Sequence, residues 1–223
     1  MRRTLARRAP LGHLQEPSLV SGPMVSSRCP RCIRPLDRCL CSLVPRLPSR
    51  TRILLLQHPS EQHHALNTAR LAAMALQNGE LRIGERFPDL EAYCRSIGRQ
   101  PYLLFPGEHA QTVGPDLAIV PDDLLLIVPD GTWRKARKLL HLDAFLQSLP
   151  RLALPSGAAS RYRLRKAPAP GALSTIEAVV RALNLLESPA CFDSALAPFE
   201  RLIDEQIAAM GSETYLRNHL NQR

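Results

Sequence analysis

Leu124, Leu125, Leu126, Ile127 and Val128 follow one another without a polar break and run straight into Pro129-Asp130-Gly131-Thr132-Trp133. A strand with one face in water alternates apolar and polar residues, so a run with no polar position must be covered on both faces. That requirement excludes an open sandwich sheet and calls for layers on each side. The pattern recurs at residues 52–57, RILLLQ, and in shorter form in PYLLF at 101–105 and RLALP at 151–155.

The segments between these runs have helical spacing. EQHHALNTARLAAMALQNG at 61–79 predicts a helix with Gly79 placed to stop it, and residues 132–146 predict another. Ser174 and Glu177 in LSTIEAVVRALNLL form a Ser-x-x-Glu capping box ahead of an apolar helix, and a last amphipathic helix spans 196–210. Short unalternated strands interleaved with helices define an α/β fold, a mainly parallel sheet with helices on both faces. Ligands gather at the carboxyl ends of such strands, so residues 130–133 are expected to line the crevice, with Gly131 permitting close backbone approach. Local chemistry alone leaves a second reading open, in which Asp130 or Thr132 caps the next helix and Trp133, the only tryptophan, packs beneath it.

With 223 residues the chain has room for one main domain and a small appendage. No uncharged apolar run approaches the ~18–20 residues of a spanning helix, so a soluble, cytoplasmic protein is expected. The net charge of +9 is informative once it is located. Residues 1–52 carry 11 arginines against Glu16 and Asp37, while basic and acidic residues balance at 18 each from 53 onward. Such asymmetry suggests contact with a polyanion, although a solvated arginine-rich leader has the same composition. Residues 1–27, rich in Arg, Pro, Ser and Gly and without an apolar period, are expected to form a disordered basic arm.

CPRCIRPLDRCLC places Cys29, Cys32, Cys39 and Cys41 within thirteen residues. Clustered thiols in a chain with no export signal read as metal ligands before disulfides. Zinc suits four thiolates because it accepts tetrahedral sulfur ligation and makes no redox demand, which predicts a structural zinc knuckle over 28–48. An iron–sulfur cluster or redox thiols are the alternatives. Arg31, Arg34 and Arg38 lie between the ligands, where they can meet RNA or simply stabilise neighbouring thiolates.

The D-x-T-W signature of Asp130, Thr132 and Trp133 resembles that of the DTW-domain proteins, the tRNA-uridine aminocarboxypropyltransferases. The cysteine array, QHPSE with NTARL, LPSG and LSTIEA occur in the family's order, and together they cover about residues 28–187. The resemblance implies a SPOUT-like fold with a knotted carboxyl-terminal part, in a catalytic domain over 49–223 that binds S-adenosylmethionine and tRNA. It implies transfer of the 3-amino-3-carboxypropyl group of S-adenosylmethionine to N3 of a tRNA uridine, with the variable loop as the expected place, and release of methylthioadenosine.

On that reading Asp130 is the candidate catalytic base. The donor is expected against Thr132 and Trp133, against Pro155, Ser156 and Gly157, and against Ser174, Thr175 and Glu177. Arg31, Arg34, Arg38, Arg134, Lys135, Arg161, Arg163 and Arg165 are the candidate RNA contacts, two of the runs, RKARK and RYRLRK, lying beside proposed site loops. A SPOUT-type RNA methyltransferase and a non-catalytic zinc-ribbon RNA-binding module are the rival functions. His58, next to Pro59, more simply shapes a turn than binds a metal.

Overall fold

The computed structural model describes residues 28–114, 117–157, 159–164 and 171–217. The basic arm at 1–27 and Arg165 lie outside the described residues. Six strands form one sheet: β1 Arg52–Gln57, β2 Gly79–Ile83, β3 Gln100–Leu104, β4 Gln111–Thr112, β5 Leu124–Asp130 and β6 Arg151–Ala153. Their order is β2-β1-β5-β3-β6-β4, and every pairing is parallel.

The unbroken apolar runs sit where both faces are covered. Along β1, Ile53 and Leu55 enter one core and Leu54 and Leu56 the other, and β5 alternates likewise. The first core is closed by α1 Thr68–Ala75, α5 Thr175–Leu186 and α6 Ala197–Met210. The second is closed by α2 Leu90–Ile97, α3 Trp133–Leu142 and α4 Ala144–Ser148. Each fully buried leucine contributes roughly 1.5–3 kcal/mol, so an aspartate at Leu126, which has no exposed surface, would undo both the packing and the strand.

Three local features depart from the expected elements. The helix expected at 61–79 begins only at Thr68, because the Asn67 side chain accepts the Arg70 N–H at 3.1 Å and sets the first turn there. It ends at Ala75, and Gly79 opens β2 instead of merely stopping a helix. The helix expected at 132–146 is two helices, divided at Asp143, which is extended and accepts the N–H groups of Phe145 and Leu146 at 3.0 and 3.2 Å. β2, β4 and α2 carry too few apolar residues in a row to announce themselves. The capping box at Ser174 and Glu177 is present, and α6 occupies the segment expected for the last amphipathic helix. Among the described residues, no helix is long and apolar enough to cross a membrane.

The strand order positions the site. β1 and β5 are neighbours, yet α1 leaves β1 toward one face and α3 leaves β5 toward the other. A crevice opens where connections diverge in this way, at the carboxyl ends of the strands. Gln57 and Asp130, the last residues of β1 and β5, stand opposite each other there.

Candidate active site

Asp130 is the hub of this switch point. Its Oδ2 accepts the Gln57 amide at 2.8 Å and its Oδ1 accepts the Thr175 hydroxyl at 2.5 Å. Gln57 is also paired with Asn67, which it donates to at 2.9 Å and accepts from at 3.2 Å. One carboxylate thereby ties β5 to β1, to the start of α1 and to the start of α5. Burial pushes the Asp130 carboxyl above its ordinary value, and the Thr175 and Gln57 hydrogen bonds oppose that shift without cancelling it.

The neighbouring loops are fastened by contacts between carboxylates and lysine or histidine side chains. Lys135 on α3 meets Glu61 at 2.6 Å, and Glu85 meets His58 at 2.9 Å and Lys138 at 3.0 Å. The QHPSE stretch therefore holds the β1–α1 connection against α3. Gly131 has φ +149°, a backbone region that side chains rarely adopt, and a Cβ there would stand 3.1 Å from Lys135 Cβ. Thr132 caps α3 by accepting the Lys135 N–H at 3.3 Å, the role that the local reading had kept open for it. Trp133 does not pack beneath the helix. It is 38% exposed and meets the edge of Phe105 with ring centroids 5.5 Å apart.

Beside this hub lies a cavity of about 390 Å³ across the carboxyl ends of β5, β3 and β6. Trp133, Pro155, Ser156, Gly157 and Thr175 line it, and so do Ala178 and Arg181 from α5 and residues 104–106 after β3. Asp130, Thr132, Ser174 and Glu177 are not among its lining residues. Ser174 and Glu177 are buried beneath the wall, where Glu177 accepts from Ser174 N–H at 2.8 Å, Ser160 Oγ at 2.8 Å and Arg161 N–H at 2.6 Å. Their geometry is that of supports for the 160–161 turn and the α5 start. Asp130 likewise has both carboxylate oxygens engaged inside the protein. It meets the cavity wall through Thr175.

Sequence reasoning missed Arg181 because it reads as one polar position on an apolar helix. Its proximity to Gly157, 24 residues upstream, exists only in the fold.

The four cysteine sulfurs all lie within 4.8 Å of one another. Cys29 and Cys41 are 3.5 Å apart and Cys32 and Cys39 are 3.7 Å apart, too far for disulfides and close to the ~3.8 Å between thiolates on a tetrahedral ion with ~2.3 Å metal–sulfur bonds. The backbone N–H groups of Cys32 and Arg31 lower the Cys29 thiol to about 6, while burial pushes the Cys41 thiol up to about 12. The donor set and its compactness fit a single zinc ion. Leu40, between the third and fourth cysteines, is 1% exposed and belongs to the first core, so the knuckle is packed onto the body.

The DTW domain family model matches residues 26–207. The chain belongs to the DTW domain family. It is 29% identical over 205 residues to tRNA-uridine aminocarboxypropyltransferase 2 of Macaca fascicularis, covering 86% of this chain and 67% of that protein. The protein of the same name from Mus musculus is 30% identical over 86% of this chain and 69% of its own length. That from Drosophila melanogaster is 31% identical over 83% of this chain and 77% of its own length. No solved structure matches the chain.

In this DTW domain the cations expected to meet RNA fall into two groups. Arg34 is bound to Glu205 at 2.8 Å, Lys135 to Glu61, Arg161 to Glu200 at 2.6 Å, and Arg163 to Asp204. Their charges are met within the chain, and Arg34 fastens the knuckle to α6. Arg134 and its neighbour Arg137 are exposed on α3 with no hydrogen-bond or ion-pair partner among the described residues. Arg38 has only a loose, exposed contact to Asp37 at 3.8 Å, and Arg31 is exposed on the knuckle.

Proposed function

We propose that the chain transfers the 3-amino-3-carboxypropyl group of S-adenosylmethionine to N3 of a tRNA uridine in the cytoplasm. The bond from N3 to the aminocarboxypropyl carbon forms as the carbon–sulfur bond breaks. The sulfur keeps the electron pair and leaves as methylthioadenosine, and the N3 proton passes to solvent or a base. The observation that carries this reading is the cavity beside Trp133, set at the switch point of a DTW domain whose curated relatives bear the name of this activity.

The donor has three carbons on its sulfonium, and a methyltransferase presents the methyl. Which carbon reacts is decided by the orientation in which one molecule is held, and correct placement alone accounts for several kcal/mol of barrier. Trp133, Thr175 and residues 155–157 would hold the donor, with Asp130, Ser174 and Glu177 fixing those walls from behind. Asp130 would keep Thr175 and the α5 start in place while its charge stays near the sulfonium. Arg31, Arg38, Arg134 and Arg137 would meet tRNA phosphates, together with the arm at 1–27. Residues 28–48 would form a structural zinc knuckle and residues 49–223 the catalytic domain.

Incubation of the purified protein with tRNA and S-adenosylmethionine tests the reading. Methylthioadenosine among the products supports it; S-adenosylhomocysteine would assign the chain to methyl transfer instead. Nucleoside mass spectrometry of tRNA from a deletion strain should show loss of the aminocarboxypropyl uridine with every methylated nucleoside retained.

A further inference from the structure

The cavity runs along α5 from the Asp130 hub. Thr175, hydrogen-bonded to Asp130, marks the end nearer the exposed Trp133, and Arg134 and Arg137 on the helix that Trp133 begins are exposed with no hydrogen-bond or ion-pair partner among the described residues. Toward the other end, roughly 9 Å farther along α5, Arg181 leans over Gly157, so close that a Cβ on that residue would lie 1.7 Å from Nη2. Among the described residues, Arg181 is the one charged side chain that lines the cavity, and it has no hydrogen-bond or ion-pair partner. It is half-buried, and the apolar side chains of Leu154, Leu173 and Ala178 line the same cavity. A half-buried guanidinium whose donors have no partner among the described residues offers them to an occupant of the cavity.

Resting on the donor-transfer reading above, we propose that Arg181 is the contact for the adenine of the donor. The cations at the Trp133 end bring the nucleic acid there, so the reacting carbon must lie there too. The nucleoside half is left to the opposite end. Thr175, Ala178 and Arg181 line the cavity three residues apart along one face of α5, a reach of roughly 9 Å at 1.5 Å per residue, which accommodates a nucleoside beside its sulfonium. Adenine is flat and uncharged, with an electron-rich face and ring nitrogens that accept hydrogen bonds. A planar guanidinium with five N–H groups can stack on it or donate to it, and the apolar residues beside Arg181 suit its faces. A side chain at 157 would have to displace the end of the Arg181 guanidinium.

Calorimetric titration of S-adenosylmethionine and methylthioadenosine into wild-type, Arg181→Met, Arg181→Lys and Gly157→Ala proteins tests the assignment. Gly157→Ala keeps the arginine but displaces its flexible end, so it reports on position even if Arg181→Met folds poorly. Expected is an equal, about tenfold weakening of both ligands in Arg181→Met and Gly157→Ala. Arg181→Lys, which keeps the charge without the planar fork, should weaken both as well. The KM for the donor should rise in step with the weakened binding while the KM for tRNA stays within about twofold. If S-adenosylmethionine weakens and methylthioadenosine does not, Arg181 grips the carboxylate, the donor lies the other way round, and the proposal is overturned. Unchanged binding of both ligands by the three variants overturns it too, with the transfer reading intact. Wild-type protein that binds neither ligand removes the transfer reading itself.

Discussion

The cysteine knuckle and the Asp130 hub each bring four side chains together, and they do so in opposite ways. The four sulfurs come from residues 29–41, a stretch short enough to close on itself. Asp130, Gln57, Asn67 and Thr175 come from two strands and the starts of two helices, and nothing but the order of the strands makes them neighbours. A locally closed cluster is legible as spacing; a hub of distant residues is legible only as separate, unremarkable polar positions.

The contrast can be broken most forcefully at the knuckle. With zinc in place, Cys32→Ser should abolish metal content and lower stability by more than about 3 kcal/mol, read by elemental analysis and thermal unfolding. Little loss of stability would mean that Leu40 and the Arg34–Glu205 pair hold the knuckle without metal.

Asp130→Ala should cost about 3 kcal/mol, because it strands the Thr175 hydroxyl and the Gln57 amide, and should lower transfer about a hundredfold. The pH dependence has a definite sign. Burial raises the folded-state pKa of Asp130, so its contribution to stability is full below the ordinary carboxylate value and is lost as pH rises through the raised one. The advantage of wild type over Asp130→Asn in urea titrations should therefore shrink from about pH 4 toward neutrality, by no more than about 1.4 kcal/mol per pH unit. A widening advantage would show that hydrogen bonding outweighs desolvation at this carboxylate.

A smaller effect is expected from Glu177→Gln. It disturbs the capping box and the 160–161 turn, and should cost about 1–2 kcal/mol in denaturant unfolding with the knuckle unaffected. The smallest effect separates the two basic runs. Replacing Arg134 and Arg137 by alanine should weaken tRNA binding several-fold and reduce its log–log salt slope by about two, measured by filter binding. The same change at Arg161 and Arg163, already paired with Glu200 and Asp204, should leave that slope nearly unchanged.

Much of the frame could be read before folding. Residues 124–128 demanded cover on both faces and have it, and Ser174 with Glu177 marked the start of α5. The boundaries of α1 and the break before α4 were hidden because Asn67 and Asp143 act as caps only once the chain around them turns. RKARK and RYRLRK look alike as text, yet α6 supplies acids to Arg161 and Arg163 of the second, while Arg134 and Arg137 of the first have no partner among the described residues.

The sequence by itself determined what short-range chemistry can determine: the two-sided sheet from unbroken apolar runs, the four-cysteine cluster from cysteine spacing, and the family from an ordered set of motifs. The tertiary structure alone decided that Asp130 meets the cavity wall through Thr175, that Trp133 lines the cavity while still exposed, and that Arg181 reaches Gly157 with no partner among the described residues. The reason is physical. Burial and pairing depend on which strands lie side by side, and that order is a property of the packed chain rather than of any window along it.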